Sequence, residues 1–174
     1  VEPGHTYPSF TVSHLGISTQ RGRFERTRGR IVLDPSARAG MIDVTIDAAT
    51  ATTGNRALDA VLRESDFFDV ERFPAITFRS RAVEFAGEAP RRATGDLTLR
   101  GITRPVTLEV VRFGCTRLPF FVRLTCGADV VATVRRSDFG MAAYAGLVGE
   151  EVRLEIQIEA VKQEPAAEPP PAGG

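Results

Sequence analysis

The sequence has no tryptophan, two histidines, two cysteines and no surplus of either charge, with 22 Lys plus Arg against 22 Asp plus Glu in 174 residues. Balanced charge excludes a nucleic-acid binder that works through general electrostatics, because neutralising several phosphates needs a basic surplus or a basic stripe. A local patch is the most that remains. Apolar stretches are short, of the Val110-Val111 and Leu147-Val148 type, and none approaches the roughly 18 to 20 residues of a membrane-spanning helix. His5 and His14 lie nine residues apart with no placed carboxylate, so they do not form a metal-ligand set. No GxGxxG, GxxxxGK[ST], GxSxG or HExxH pattern occurs, which leaves nucleotide binding, serine hydrolysis and zincin chemistry without an anchor.

What is present is the composition of a soluble globular domain, 43% hydrophobic and 25% charged, at a length that suits one domain. Cys115 and Cys126 enclose ten residues, a spacing that excludes CxxC redox and zinc motifs. If Arg112-Phe113 and Ala128-Asp129 lie on paired strands, both cysteines fall at the base of one hairpin and a disulfide is expected. That bridge implies an oxidising compartment. The chain starts at Val1 with neither a basic nor an apolar leader, so the expectation is an export signal already removed and a periplasmic or secreted protein. Residues 163–174 are Pro, Ala, Gly and Glu almost throughout, too poor in apolar groups to offset chain entropy, and read as a disordered tail behind a folded domain at 1–162. Docking of the tail as an extended Pro-rich ligand is a lesser option.

Period-two alternation is clearest where Val152, Leu154, Ile156, Ile158 and Ala160 interleave with Arg153, Glu155, Gln157 and Glu159. It recurs in Ile42-Val44-Ile46, Ile76-Phe78 and Val106-Leu108-Val110, each the mark of a half-buried antiparallel strand. Arg100-Gly101-Ile102-Thr103 reads as the turn of a short hairpin that joins Leu97-Thr98-Leu99 to a strand led by Pro105. With Ser9 to His14, Gly22 to Leu33 and Ala128 to Arg136 the count reaches about eight strands. One segment, about residues 55–73, has helical spacing behind an Asn55 N-cap. Successive strands without repeated helices predict an all-β fold, and eight strands favour closure into a barrel, which leaves no exposed edge.

Such a barrel is either filled by its own side chains or encloses one small ligand, and sequence does not select between these. Candidate lumen residues are Phe10, Val12, His14, Phe24, Leu58, Phe67, Phe68, Phe78 and Phe139. A lumen of this kind suits an apolar guest. Asp66 and Asp69 flank Phe67-Phe68, an arrangement that admits acid/base chemistry with His14 but is better read as a helix end. Arg135-Arg136 and the Arg21, Arg23, Arg26, Arg28, Arg30 series are read as solvated strand faces, with an anionic head group or membrane surface as the rival reading.

Several segments carry a family resemblance. His14-Leu15-Gly16-Ile17-Ser18-Thr19 followed by Gly22 and Phe24, Asp43-Val44-Thr45-Ile46-Asp47-Ala48, Asp66-Phe67-Phe68-Asp69-Val70, Phe73-Pro74, Gly95-Asp96-Leu97-Thr98 with Arg100-Gly101, Arg136-Ser137-Asp138-Phe139-Gly140-Met141 and Val148-Gly149-Glu150-Glu151-Val152 resemble, in order, the YceI-like family of bacterial lipocalin-like proteins. The resemblance implies an extended eight-stranded antiparallel lipocalin-like barrel. It implies a non-enzymatic carrier whose lumen holds a polyisoprenoid or similar long-chain amphiphile of quinone or polyprenyl type, with no cofactor, no catalytic residues and, in places, homodimers. The cysteine pair is not part of that family pattern. A packed interaction module is the alternative function, and an enzyme using Asp66, Asp69 and His14 a more distant one.

Overall fold

The computed structural model describes residues 1–117 and 123–163. Its strands are β1 (Tyr7–His14), β2 (Ser18–Phe24), β3 (Thr27–Asp34), β4 (Ala39–Asp47), β5 (Ala51–Thr52), β6 (Ala75–Ala86), β7 (Ala89–Leu99), β8 (Ile102–Arg117), β9 (Leu124–Arg135) and β10 (Val148–Val161), with one helix, α1 (Arg56–Arg63), between β5 and β6. All ten join one antiparallel sheet in the order β3-β4-β6-β7-β8-β9-β10-β1-β2-β5. The sheet curls into a half-barrel with its apolar side inward. The connections β1–β2, β4–β6, β7–β8 and β9–β10 gather at one end, which carries α1; the β3–β4, β6–β7 and β8–β9 hairpins gather at the other.

The strand count and the closure differ from expectation, and both differences start at Glu25-Arg26. Gly22 to Leu33 is two strands because Phe24 and Thr27 are both buried, and residues three apart cannot share one face of a continuous strand. The chain breaks between them, and the Glu25 and Arg26 amides donate to Thr50 Oγ1 (3.2 Å each) instead of to a neighbouring strand. The freed end of β2 pairs with the two-residue β5. β3 and β5 therefore end the sheet and no ladder joins them. The break also separates Arg26, Arg28 and Arg30 from the strand that carries Phe24: Arg28 and Arg30 are exposed, and Arg26 holds Asp47 at 2.7 Å.

The hairpin expected at 100–103 is present but tighter: Ile102 and Thr103 already pair with Leu99 and Thr98, and the turn is Arg100 and Gly101 alone, both at positive φ (53° and 70°), as a two-residue hairpin of the right twist requires. Gly22 faces Phe10 across β1 and β2, and a Cβ there would run into the Phe10 ring. Around that contact Phe10, Phe24 and Phe68 form a triangle with ring centroids 5.3 to 6.0 Å apart, each edge contributing on the order of 1 kcal/mol beyond area burial.

Cys115 and Cys126 are direct cross-strand partners on β8 and β9 and form a disulfide. A loop this short loses enough unfolded-state entropy that replacing both cysteines by serine is expected to lower stability by about 2 to 3 kcal/mol. Chemical denaturation of the two forms measures this, and an unchanged midpoint would show that the bridge contributes nothing. The tail expected at 163–174 lies, beyond Gln163, outside the described residues.

Candidate functional site

The inward side chains enclose a lumen of about 260 Å³. Every alternating residue singled out on the last strand, Val152, Leu154, Ile156, Ile158 and Ala160, lines it, as do Ile42, Val44, Ile46, Ile76 and Phe78. Leu108 and Val110 line it too, whereas their neighbour Val106 is buried in the core beside it. Burial changes from strand to strand. The inner residues of β6 and β7 are closed over, as at Ile76, Val83, Ala93, Leu97 and Leu99, while Val110, Phe113, Val134, Val152, Ile156 and Ile158 on β8 to β10 are only half buried.

Of the candidate lumen residues, Phe10, Val12, Phe24, Phe67, Phe68 and Phe78 line the cavity. Three do not. His14 keeps the parity of Val12, since the β1–β2 ladder runs unbroken to His14 opposite Ser18 and the irregularity between Val12 and His14 lies on β10, but as the last residue of β1 it falls beyond the residues that line the lumen. Leu58 sits in the first turn of α1 and is half buried outside the lumen, and Leu62, one turn later, takes the expected place. Phe139, at 1% exposure, is packed into the core, and Met141 next to it reaches the lumen.

The acid residues do not assemble. Asp66 is exposed, while Asp69 is buried at positive φ (49°) and accepts from Arg72 Nη1 at 3.1 Å. His14 lies on β1, and no hydrogen bond or ion pair joins it to either aspartate among the described residues. Asp59, buried beside the lumen, accepts from Thr52 Oγ1 (2.9 Å), Thr53 N (2.6 Å) and Thr53 Oγ1 (2.7 Å) and so anchors α1 to β5. Burial raises its pKa, but the Thr53 amide and hydroxyl, the Thr52 hydroxyl and Arg63 together hold it below the ordinary carboxylate value. Since the folded value lies below the unfolded one, Asp59 stabilises the fold fully at neutral pH, and this contribution is lost as pH falls from about 4 through the folded value. Asp59→Asn is therefore expected to flatten the acid limb of the stability curve. Urea unfolding at pH 7 and pH 3 reads it, and an equal acid loss in wild type and variant would remove Asp59 from the response.

Two charged side chains line the lumen among the described residues, and both are committed. Arg92 donates to Glu109 Oε1 at 2.7 Å and lies 3.6 Å from Glu84, contacts that raise its pKa, the Glu109 hydrogen bond first. Arg136, read from sequence as part of a solvated face, is 4% exposed. Its guanidinium donates to the carbonyls of Gly149 (3.0 Å), Met141 (2.7 Å), Ala143 (2.7 Å) and Val148 (3.2 Å), cross-linking the β9–β10 connection from inside. Glu150, held below its ordinary value chiefly by the Ser137 hydroxyl and also by the Ser137 amide, Arg135 and Arg136, supplies counter-charge from the surface side. The remaining signal that sequence did not expose is Thr27, a buried hydroxyl on the lumen wall.

A family model for the YceI-like domain matches residues 1–160. A UPF0312 protein of Ectopseudomonas mendocina is 31% identical over 160 residues, 91% of this chain and 83% of the relative. Protein YceI of Salmonella arizonae is 32% identical over 163 residues, 93% of this chain and 84% of the relative. Among solved structures, the Campylobacter jejuni YceI protein superposes with a TM-score of 0.74 at 26% identity, covering 87% of this chain and 90% of that one. Burkholderia cenocepacia BcnA shares the fold with a TM-score of 0.78 at 24% identity over 92% of this chain and 99% of that one. A polyisoprenoid binding domain from Saccharophagus degradans, implicated in plant cell wall breakdown, shares it with a TM-score of 0.61 at 15% identity over 88% and 92%. The curled antiparallel sheet, the single helix at one end and the motif order through Arg136-Ser137-Asp138-Phe139-Gly140-Met141 fall within a match that spans nearly the whole barrel, and the chain belongs to the YceI-like family.

Proposed function

We propose that this barrel is a binding protein rather than an enzyme, holding the chain of one long amphiphilic lipid of the polyisoprenoid class in its lumen. The observation that carries the reading is the lumen itself: a continuous apolar wall built by alternate residues of neighbouring strands, with its charged members already paired. A structural relative named for polyisoprenoid binding supports the same class. Chain length matters to the energetics. Each buried methylene contributes roughly 0.8 kcal/mol, against an association cost of roughly 4 to 15 kcal/mol, so a short apolar guest gains little and a long one binds. The contacts are non-directional, and selection by the wall is by length and bulk. The disulfide supports residence in an oxidising compartment, periplasmic or secreted.

Organic extraction of the purified protein followed by mass spectrometry tests this. A stoichiometric long-chain lipid is expected; a protein that yields none and also fails to take up added polyprenol contradicts the carrier reading and leaves a packed interaction barrel.

A further inference from the structure

Resting on that reading, we propose that Thr27 selects the polar end of the ligand, and that this end is a neutral oxygen, a hydroxyl or a carbonyl, rather than a charged phosphate. Thr27 is 3% exposed, lines the lumen, and its Oγ1 is buried without any hydrogen-bond partner. Other polar side chains on the wall are satisfied within the protein. The Thr6 hydroxyl donates to Glu159 O (3.3 Å) and accepts from Glu159 N (3.1 Å), and the Ser9 hydroxyl donates to Tyr7 O (3.4 Å). A buried hydroxyl left alone is costly, and a ligand atom that pairs with it recovers that loss on binding.

The class of that atom follows from the surroundings. An anion in an apolar lumen needs a cation free to meet it, but Arg92 is held by Glu109 and Glu84, and Arg136 by four backbone carbonyls. A hydroxyl or carbonyl needs no counter-charge and matches the threonine, which both donates and accepts. Thr27 opens β3 opposite Ile46, the last residue but one of β4 before the chain leaves toward α1. Bound there, the ligand directs its oxygen toward the end that carries α1 and its tail along the lumen toward the hairpins.

The test uses the delipidated full chain, wild type, Thr27→Val and Thr27→Ser, with three probes of equal chain length: a polyprenol, the parent hydrocarbon and the polyprenyl phosphate. Wild type and Thr27→Ser are expected to prefer the polyprenol over the hydrocarbon by about tenfold, and Thr27→Val to lose that preference with its hydrocarbon affinity intact. Ligand-free Thr27→Val is expected to unfold at the same or a higher urea concentration, since it removes a hydroxyl that bonds to nothing. A preference that survives in Thr27→Val, a wild type that binds the phosphate more tightly than the alcohol, or a Thr27→Val less stable than wild type would each overturn the assignment while leaving lipid binding in place. If wild type binds neither polyprenol nor hydrocarbon, the assignment and the carrier reading fall together.

Discussion

Arg136→Met is expected to be among the most damaging single changes in the barrel, lowering stability by about 3 to 5 kcal/mol. Methionine replaces the apolar stem of the arginine but supplies no donors, so the carbonyls of Met141, Ala143, Val148 and Gly149 lose the group that ties them together. Each buried carbonyl deprived of its donor costs about 1 to 3 kcal/mol, less where water reaches it, as at half-exposed Ala143. The adjacent Arg135 is the control. It is exposed and lies 3.6 Å from Glu150, so Arg135→Met is expected to cost less than about 1 kcal/mol. Urea midpoints at unchanged slope measure both. Equal midpoints for the two variants would show that the internal cross-link does not hold the β9–β10 connection.

Ile156→Trp is expected to abolish lipid binding, lowering affinity by about a hundredfold or more, without unfolding the protein. Ile156 is half buried, lines the lumen, and pairs with Val130 on β9 and Pro8 on β1, so an indole there occupies the space a ligand chain would take. Because the natural sequence contains no tryptophan, the introduced indole also reports its own surroundings. Blue-shifted emission is expected from an apolar lumen. Thr133→Trp, on the exposed face of β9, is expected to emit as a hydrated indole and to bind lipid like wild type. Unimpaired binding by Ile156→Trp would place the ligand elsewhere.

Much of this was legible in sequence because a barrel wall is a period-two problem. Val152 to Ala160, Ile42 to Ile46 and Ile76-Phe78 alternate, and each alternation became lumen wall. The cysteine spacing became a cross-strand bridge and Asn55 became the N-cap of α1, accepting from Ala57 N and Leu58 N. What sequence hid are the places where periodicity is interrupted. The break at Glu25-Arg26 depends on Thr50, a residue distant in the chain, and it turned eight expected strands into ten and a closed barrel into a curled sheet. His14 keeps the parity of Val12 but closes β1, beyond the residues that line the lumen. Arg136 and Thr27 were illegible for another reason: an arginine satisfied by four carbonyls and a threonine satisfied by none look in sequence like any solvated strand residue.

The most direct test of the account is the native mass of the delipidated protein after incubation with a long-chain polyprenol. The account predicts one lipid per chain for wild type and none for Ile156→Trp. No adduct, or several lipids per chain retained equally by both proteins, would contradict a single apolar lumen as the binding site.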